Sequence, residues 1–179
     1  MFEALKEIFR RHRLKKYASD IPTGFIPVER IKTANIVIDV EEPGFDVLKE
    51  KILAWARTHE IKVNIYFFDF RKLGQDELLL TSISTTIIRK ELNWFGAPSA
   101  QKTEALFNKP CDLFISMVAN SDFPIDYVSK CVKARFKIGR FGYKGHAFDM
   151  IFSGAAAEEL RGDGSIIFEM MTEFMAKIQ

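Results

Sequence analysis

From Thr33 onward, short and nearly continuous apolar runs alternate with stretches of helical period, and this alternation constrains the fold more than any other feature. "ANIVIDV" (34–40), "IKVNIYFFDF" (61–70) and "CDLFISMV" (111–118) are too uniformly apolar for strands with one solvated face. Strands covered by helices on both faces read this way. Between them, "DVLKEKILAWARTHE" puts Val47, Leu48, Ile52 and Trp55 on one helical face, and "SAQKTEALFNK" runs from a serine cap to the stop at Pro110. A shorter, more polar strand is expected over 84–92, and a helix over 123–133. "RFKIGRFGYKGHAFDMIF" (135–152) reads as two short strands around a glycine-rich turn, hence a hairpin. "AAAEEL" and "SIIFEMMTEFMAKI" form a closing helical pair across the "RGDG" break.

Alternating strands and helices predict an α/β fold: a three-layer, open, mostly parallel sheet of five or six strands with an edge hairpin, Rossmann-like and with right-handed crossovers. Two parts are expected. Residues 1–32 form a basic helix and a connector, "SDIPTGFIPVER", the one plausible linker; residues 33–179 form a single α/β domain. At 179 residues, 47% of them hydrophobic, the chain is long enough to bury a core and too apolar for disorder. Its 17 Phe fit a thick core between sheet and helices.

The net charge of +2 demands no polyanionic partner, but eight Lys/Arg against four Asp/Glu in residues 1–32 give that segment a local +4. Cys111 and Cys131 lack metal-site spacing and sit in apolar elements, as buried thiols of a reducing compartment do. Charges interrupt every apolar run of the N-terminus before it reaches signal-peptide length, and no segment approaches the ~20 apolar residues of a membrane span. A cytoplasmic protein is expected.

The stretch "ANSDFP" (119–124) breaks a buried strand and opens a helix, the place where open α/β sheets bind ligands. Asp122 and Asp126 sit where a phosphate would go, and Pro124 removes a donor, so a capped helix start is expected rather than an anion site. Asn120 and Ser121 remain candidate contacts. No P-loop occurs, and the glycines of "GRFGYKG" and "GDGS" lack the strand-to-helix context of a dinucleotide site. No cofactor is expected.

Asp39 and Asp69 end the first two strands and are the candidate catalytic pair, as joint cation ligands or as acid and base. His12, His59 and His146 follow no zinc spacing, and Ser116 and Ser153 lack a nucleophile elbow. Lys130, Lys133, Arg135, Lys137, Arg140 and Lys144 interleave with Phe136, Phe141 and Tyr143, an arrangement that suits stacked bases and phosphates. "KGHAF" and "LFIS" partly resemble the two boxes of RNA-recognition motifs. That likeness fails at His146, at Asp149 and at the missing final strand, so a hairpin with solvated cations is preferred. The N-terminal helix is expected to pack its apolar stripe, Leu5, Ile8 and Phe9, on its own domain; peripheral membrane contact would need it free. Ile167, Met170, Met171, Phe174 and Ile178 make a wide C-terminal stripe that offers a homodimer contact.

"RKELNWFGAP", "CDLFISM", "KARFKIGRFG" and "FDMIF" resemble an uncharacterised α/β family of Bacteroidetes-type bacteria. The resemblance implies no activity. It draws attention to Trp94 and Phe95, which could line a pocket mouth or a partner surface, or equally fold back as a plug over the sheet edge. The leading expectation is a non-enzymatic binding or interaction module for an unknown protein or small ligand, touching it through Trp94, Phe95, Asn120, Ser121, Arg140 and Lys144. The alternatives are a metal-assisted enzyme using Asp39 and Asp69, and an RNA or single-stranded nucleic-acid binder using the basic aromatic segment.

Overall fold

The computed structural model describes residues 2–72, 79–152 and 163–178. Six strands, β1 (Thr33–Asp39), β2 (Lys62–Asp69), β3 (Thr86–Ile88), β4 (Cys111–Ser116), β5 (Ala134–Gly139) and β6 (Met150–Ile151), form one sheet. Its order is β3-β2-β1-β4-β5-β6, and every pairing is parallel. The chain builds outward from β1 to β3, then returns to lay β4 on the other side of β1. This is the doubly wound order, with its switch point between β1 and β4.

Helices α1 (Phe2–Tyr17), α2 (Phe45–Thr58), α3 (Ala100–Asn108), α4 (Phe123–Cys131) and α5 (Gly164–Lys177) accompany the sheet. On one sheet face Ile36, Ile38, Leu113, Ile115 and Ile138 meet Leu48 and Ile52 of α2 and Phe168 and Met171 of α5. On the other, Val37, Tyr66, Phe68 and Phe114 meet Leu106 of α3 and Ile125 and Val128 of α4. Successive strand residues feed opposite cores, which is why the central runs are apolar at most positions. Local chemistry sets the helix starts: Asp163 accepts from the main-chain N–H of Ser165 and Ile166 at the head of α5, and Pro124 occupies the first turn of α4.

Three expectations meet the structure here, and the first and third are corrected. First, β6 is not the return arm of a hairpin but pairs parallel to β5. Residues 140–149 cross back over the α4 side, where Phe148 stacks on Phe114 at 6.4 Å, and the Asp149 carboxylate then accepts from the main-chain N–H of Lys137 at 2.8 Å. A glycine-rich loop thus does the work that a crossover helix does elsewhere in the sheet. Second, the expected connector after α1 is present, and it is packed against the domain. Ile26, Val28 and Ile31 are buried, Phe25 meets Phe136 edge-on, and Gly24 donates its N–H to the carbonyl of Arg135. Third, Lys137 is not a solvated cation. It lies opposite Phe114 in the register, is buried, and donates to the carbonyl of Ser129 in α4 at 3.0 Å. The segment "AAAEEL" lies outside the described residues.

Candidate functional site

The switch point is where this architecture would hold a ligand, and here the chain fills it. Arg140, just past β5, is 8% exposed. Its guanidinium donates to the Glu42 carboxylate, on the loop after β1, at 2.5 Å and to the carbonyl of Met117, just past β4, at 3.4 Å. The first residue of α5 closes over this pair: a Cβ on Gly164 would lie 3.5 Å from the Arg140 guanidinium and 3.6 Å from the Glu42 carboxylate. Arg140 therefore ties β4, β5 and the β1–α2 loop together, and is not an open contact.

On the opposite sheet face the rim is acidic. Asp39 accepts from the main-chain N–H of Glu41 at 2.9 Å. Burial, assisted by the carboxylates of Glu42, Glu41 and Asp122, pushes its pKa up to about 6. Asp122 stands at the start of α4, but its side chain makes no capping bond, contrary to expectation. Asn120 accepts from the N–H of Asp122 through its side chain, and its carbonyl accepts from the Tyr143 hydroxyl at 3.0 Å. Ser121 is exposed.

Asp39 and Asp69 do not converge. Asp39 lies opposite Phe68 in the β1–β2 register, so the two share a face, and Asp69, one residue on, belongs to the other. Arg71 grips the buried Asp69 carboxylate at 2.8 and 2.7 Å and holds its pKa below the usual range. Among the described residues no group of three or more His, Cys, Asp or Glu is placed to hold a metal ion. The nucleic-acid arrangement is not built either, because Phe114 and Phe148 are both buried. Lys144 is exposed, and its carbonyl accepts from the Lys130 ammonium at 2.8 Å. Cys111 and Cys131 are free, buried thiols whose pKa values burial raises to about 11 and about 12.

The sequence candidates that do come together are the basic helix and the "NWFGAP" loop. Asn93 organises that loop, its side-chain oxygen accepting from the N–H groups of Phe95 at 3.2 Å and Ala97 at 3.0 Å. Gly96 turns the chain at φ 94°, a conformation side-chain-bearing residues rarely adopt. The tight turn sends neighbouring aromatics opposite ways: Phe95 is buried with Ala97, Tyr127 and Cys131, and Trp94 is 47% exposed.

Helix α1 docks on this loop by its cations. The Arg10 Nε donates to the carbonyl of Phe95 at 2.8 Å while its guanidinium lies 4.6 Å above the Phe123 ring. Arg13 covers Tyr17 at 4.6 Å and Phe95 at 5.9 Å, and Leu14 packs on the same cluster. The apolar stripe, expected to face the domain, is left outside: Phe2 is 60%, Leu5 46%, Ile8 62% and Phe9 42% exposed. Phe9 meets Trp94 at 4.9 Å and Phe2 meets it at 6.0 Å, so the stripe and the loop form one continuous surface. Behind α1, a cavity of about 720 Å³ opens between it, α3 and α4, with Arg13, Lys133, Glu104 and Asp20 among its lining residues.

No sequence signal for this inverted docking exists within α1 itself, because its acceptors belong to residues 95 and 123. Among the described residues, no helix is long and apolar enough to cross a membrane. No curated protein and no solved structure matches the chain. One family model matches residues 6–160, from within α1 to beyond β6. The chain belongs to that family, a family of unknown function designated DUF6913.

Proposed function

We propose that this chain is a non-enzymatic interaction module of the bacterial cytoplasm, and that α1 with Trp94 is its contact face. The observation that carries the reading is the junction of two segments, each a candidate surface on its own. They meet through the Arg10–Phe95 bond, 85 residues apart in sequence, and present five large apolar side chains outward. Solvent-exposed apolar patches of this kind mark contact sites. The closure of the switch point by Arg140 and Glu42, and the separation of Asp39 from Asp69, speak against small-molecule chemistry at the usual place. The unpaired thiols of Cys111 and Cys131 fit a reducing compartment.

Gel filtration of gently lysed cells tests the proposal. The wild-type chain should elute well above its 20.6 kDa monomer or travel with the membrane fraction, and Ile8→Glu should shift it to the soluble monomer position. Monomeric elution of both would contradict it.

A further inference from the structure

The proposal above leaves the partner open, and the chemistry of the face narrows it. Leu5, Ile8 and Phe9 follow the spacing of one helical stripe, with Phe2 and Trp94 beside them. The charges are sorted around that stripe. Helix α1 holds six Lys/Arg, at 6, 10, 11, 13, 15 and 16, against two acids, Glu3 and Glu7. Both acids are engaged within the helix, by Lys6 and Arg11, and Arg10 and Arg13 are turned onto the domain. Lys15 and Lys16 remain exposed in the last turn and have no carboxylate partner among the described residues.

Resting on the interaction reading, we infer that α1 and Trp94 seat the domain on an anionic membrane surface. An amphipathic helix lying in the lipid interface buries Phe, Leu and Ile at the boundary of headgroups and acyl chains, and its lysines reach the lipid phosphates. Trp sits by preference at that same depth. A protein groove would have to match the apolar stripe and the two lysines at one register, whereas an anionic bilayer offers both chemistries at any register. Contact is peripheral. Membrane contact does not require α1 to leave the domain, because the arginine docking turns the apolar stripe outward while the helix stays attached.

The test is vesicle flotation of the purified full chain carrying Trp55→Phe, so that Trp94 alone reports by fluorescence. Trp55 packs on Phe168, and Phe keeps that contact aromatic. Vesicles are phosphatidylcholine alone, or phosphatidylcholine with about one third phosphatidylglycerol. The chain should float with the anionic vesicles only, with a blue shift of Trp94 emission. Ile8→Glu, and separately the pair Lys15→Glu with Lys16→Glu, should each lower the bound fraction at least about tenfold without changing the melting temperature. Failure to float with anionic vesicles, or flotation indifferent to Ile8→Glu, overturns the inference. A purified chain that self-associates in sedimentation, loses this with Ile8→Glu and ignores vesicles also overturns it, while leaving the interaction reading intact.

Discussion

The Nε of Arg10 donates to the carbonyl of Phe95 at 2.8 Å, and the same guanidinium covers the ring of Phe123. One side chain thereby fixes the helix, the loop that carries Trp94, and the first turn of α4 relative to one another. Charge-assisted hydrogen bonds are among the stronger ones a part-buried group can make, and a guanidinium offers a flat face and directed donors together. The cost is an apolar stripe left in water, which a docked amphipathic helix normally avoids.

Arg10→Ala should destabilise the fold by about 1–2 kcal/mol, from the lost hydrogen bond and the lost cation–ring contact. Arg10→Lys should recover little, because an ammonium cannot donate sideways to Phe95 while lying flat on Phe123. Urea unfolding measures the loss. Hydrogen exchange should report faster opening of α1 than of the sheet.

Gly139→Ala should be among the most damaging single-methyl additions. The new Cβ would fall within 2.4–2.7 Å of three Phe148 ring atoms, and that ring is held between Phe114 and Tyr143. Overpacking of this kind costs about 1–3 kcal/mol. Thermal unfolding should show the drop, and Phe148→Leu in the same chain should restore part of it.

Lys137 gives the fold a pH signature. Burial lowers its pKa from 10.5 to about 8, so between those values the unfolded chain holds a proton that the folded chain has released. Stability from this group therefore rises as pH climbs through that window, by roughly 2–3 kcal/mol in all. Cys111, Cys131 and Tyr127 act in the opposite sense at higher pH, so the comparison must be with Lys137→Met. The difference in unfolding free energy between wild type and Lys137→Met should grow in favour of wild type from about pH 8 to about pH 10.

Asp39 acts with the reverse sign in acid. Its folded pKa of about 6 lies above the ordinary 3.8, so the unfolded chain ionises first and stability falls as pH rises between the two. Asp39→Asn keeps an acceptor for the N–H of Glu41 and removes the charge. With solvent screening of the exposed edge of the group, it should stabilise the chain at neutral pH by roughly 1–2 kcal/mol, and not at all near pH 3.5.

Much of the fold was legible because β1, β4, the second half of β2 and most of β5 are covered on both faces, and burial on both faces writes itself as a nearly continuous apolar run. The same principle places Lys137 inside. From Phe136 to Gly139 the strand is buried on both sides and no position is solvated, so a charge at 137 must be internal whichever way it points. The turn to β6 misled because glycines that usually close a hairpin here make room for Phe148 to stack against the sheet. The contact face was half legible. Trp94 and the basic helix each stood out, but the Arg10–Phe95 bond that joins them depends on a carbonyl, a group every residue carries, so the sequence holds no trace of it.

The most direct measurement is site-specific photo-crosslinking in living cells, with a photoreactive residue placed at Ile8 in one chain and at Glu50 of α2, away from this face, in another. The account predicts a protein or lipid adduct from position 8 that Arg10→Ala weakens, and none from position 50. Equal labelling from the two positions, or none from position 8, would contradict it.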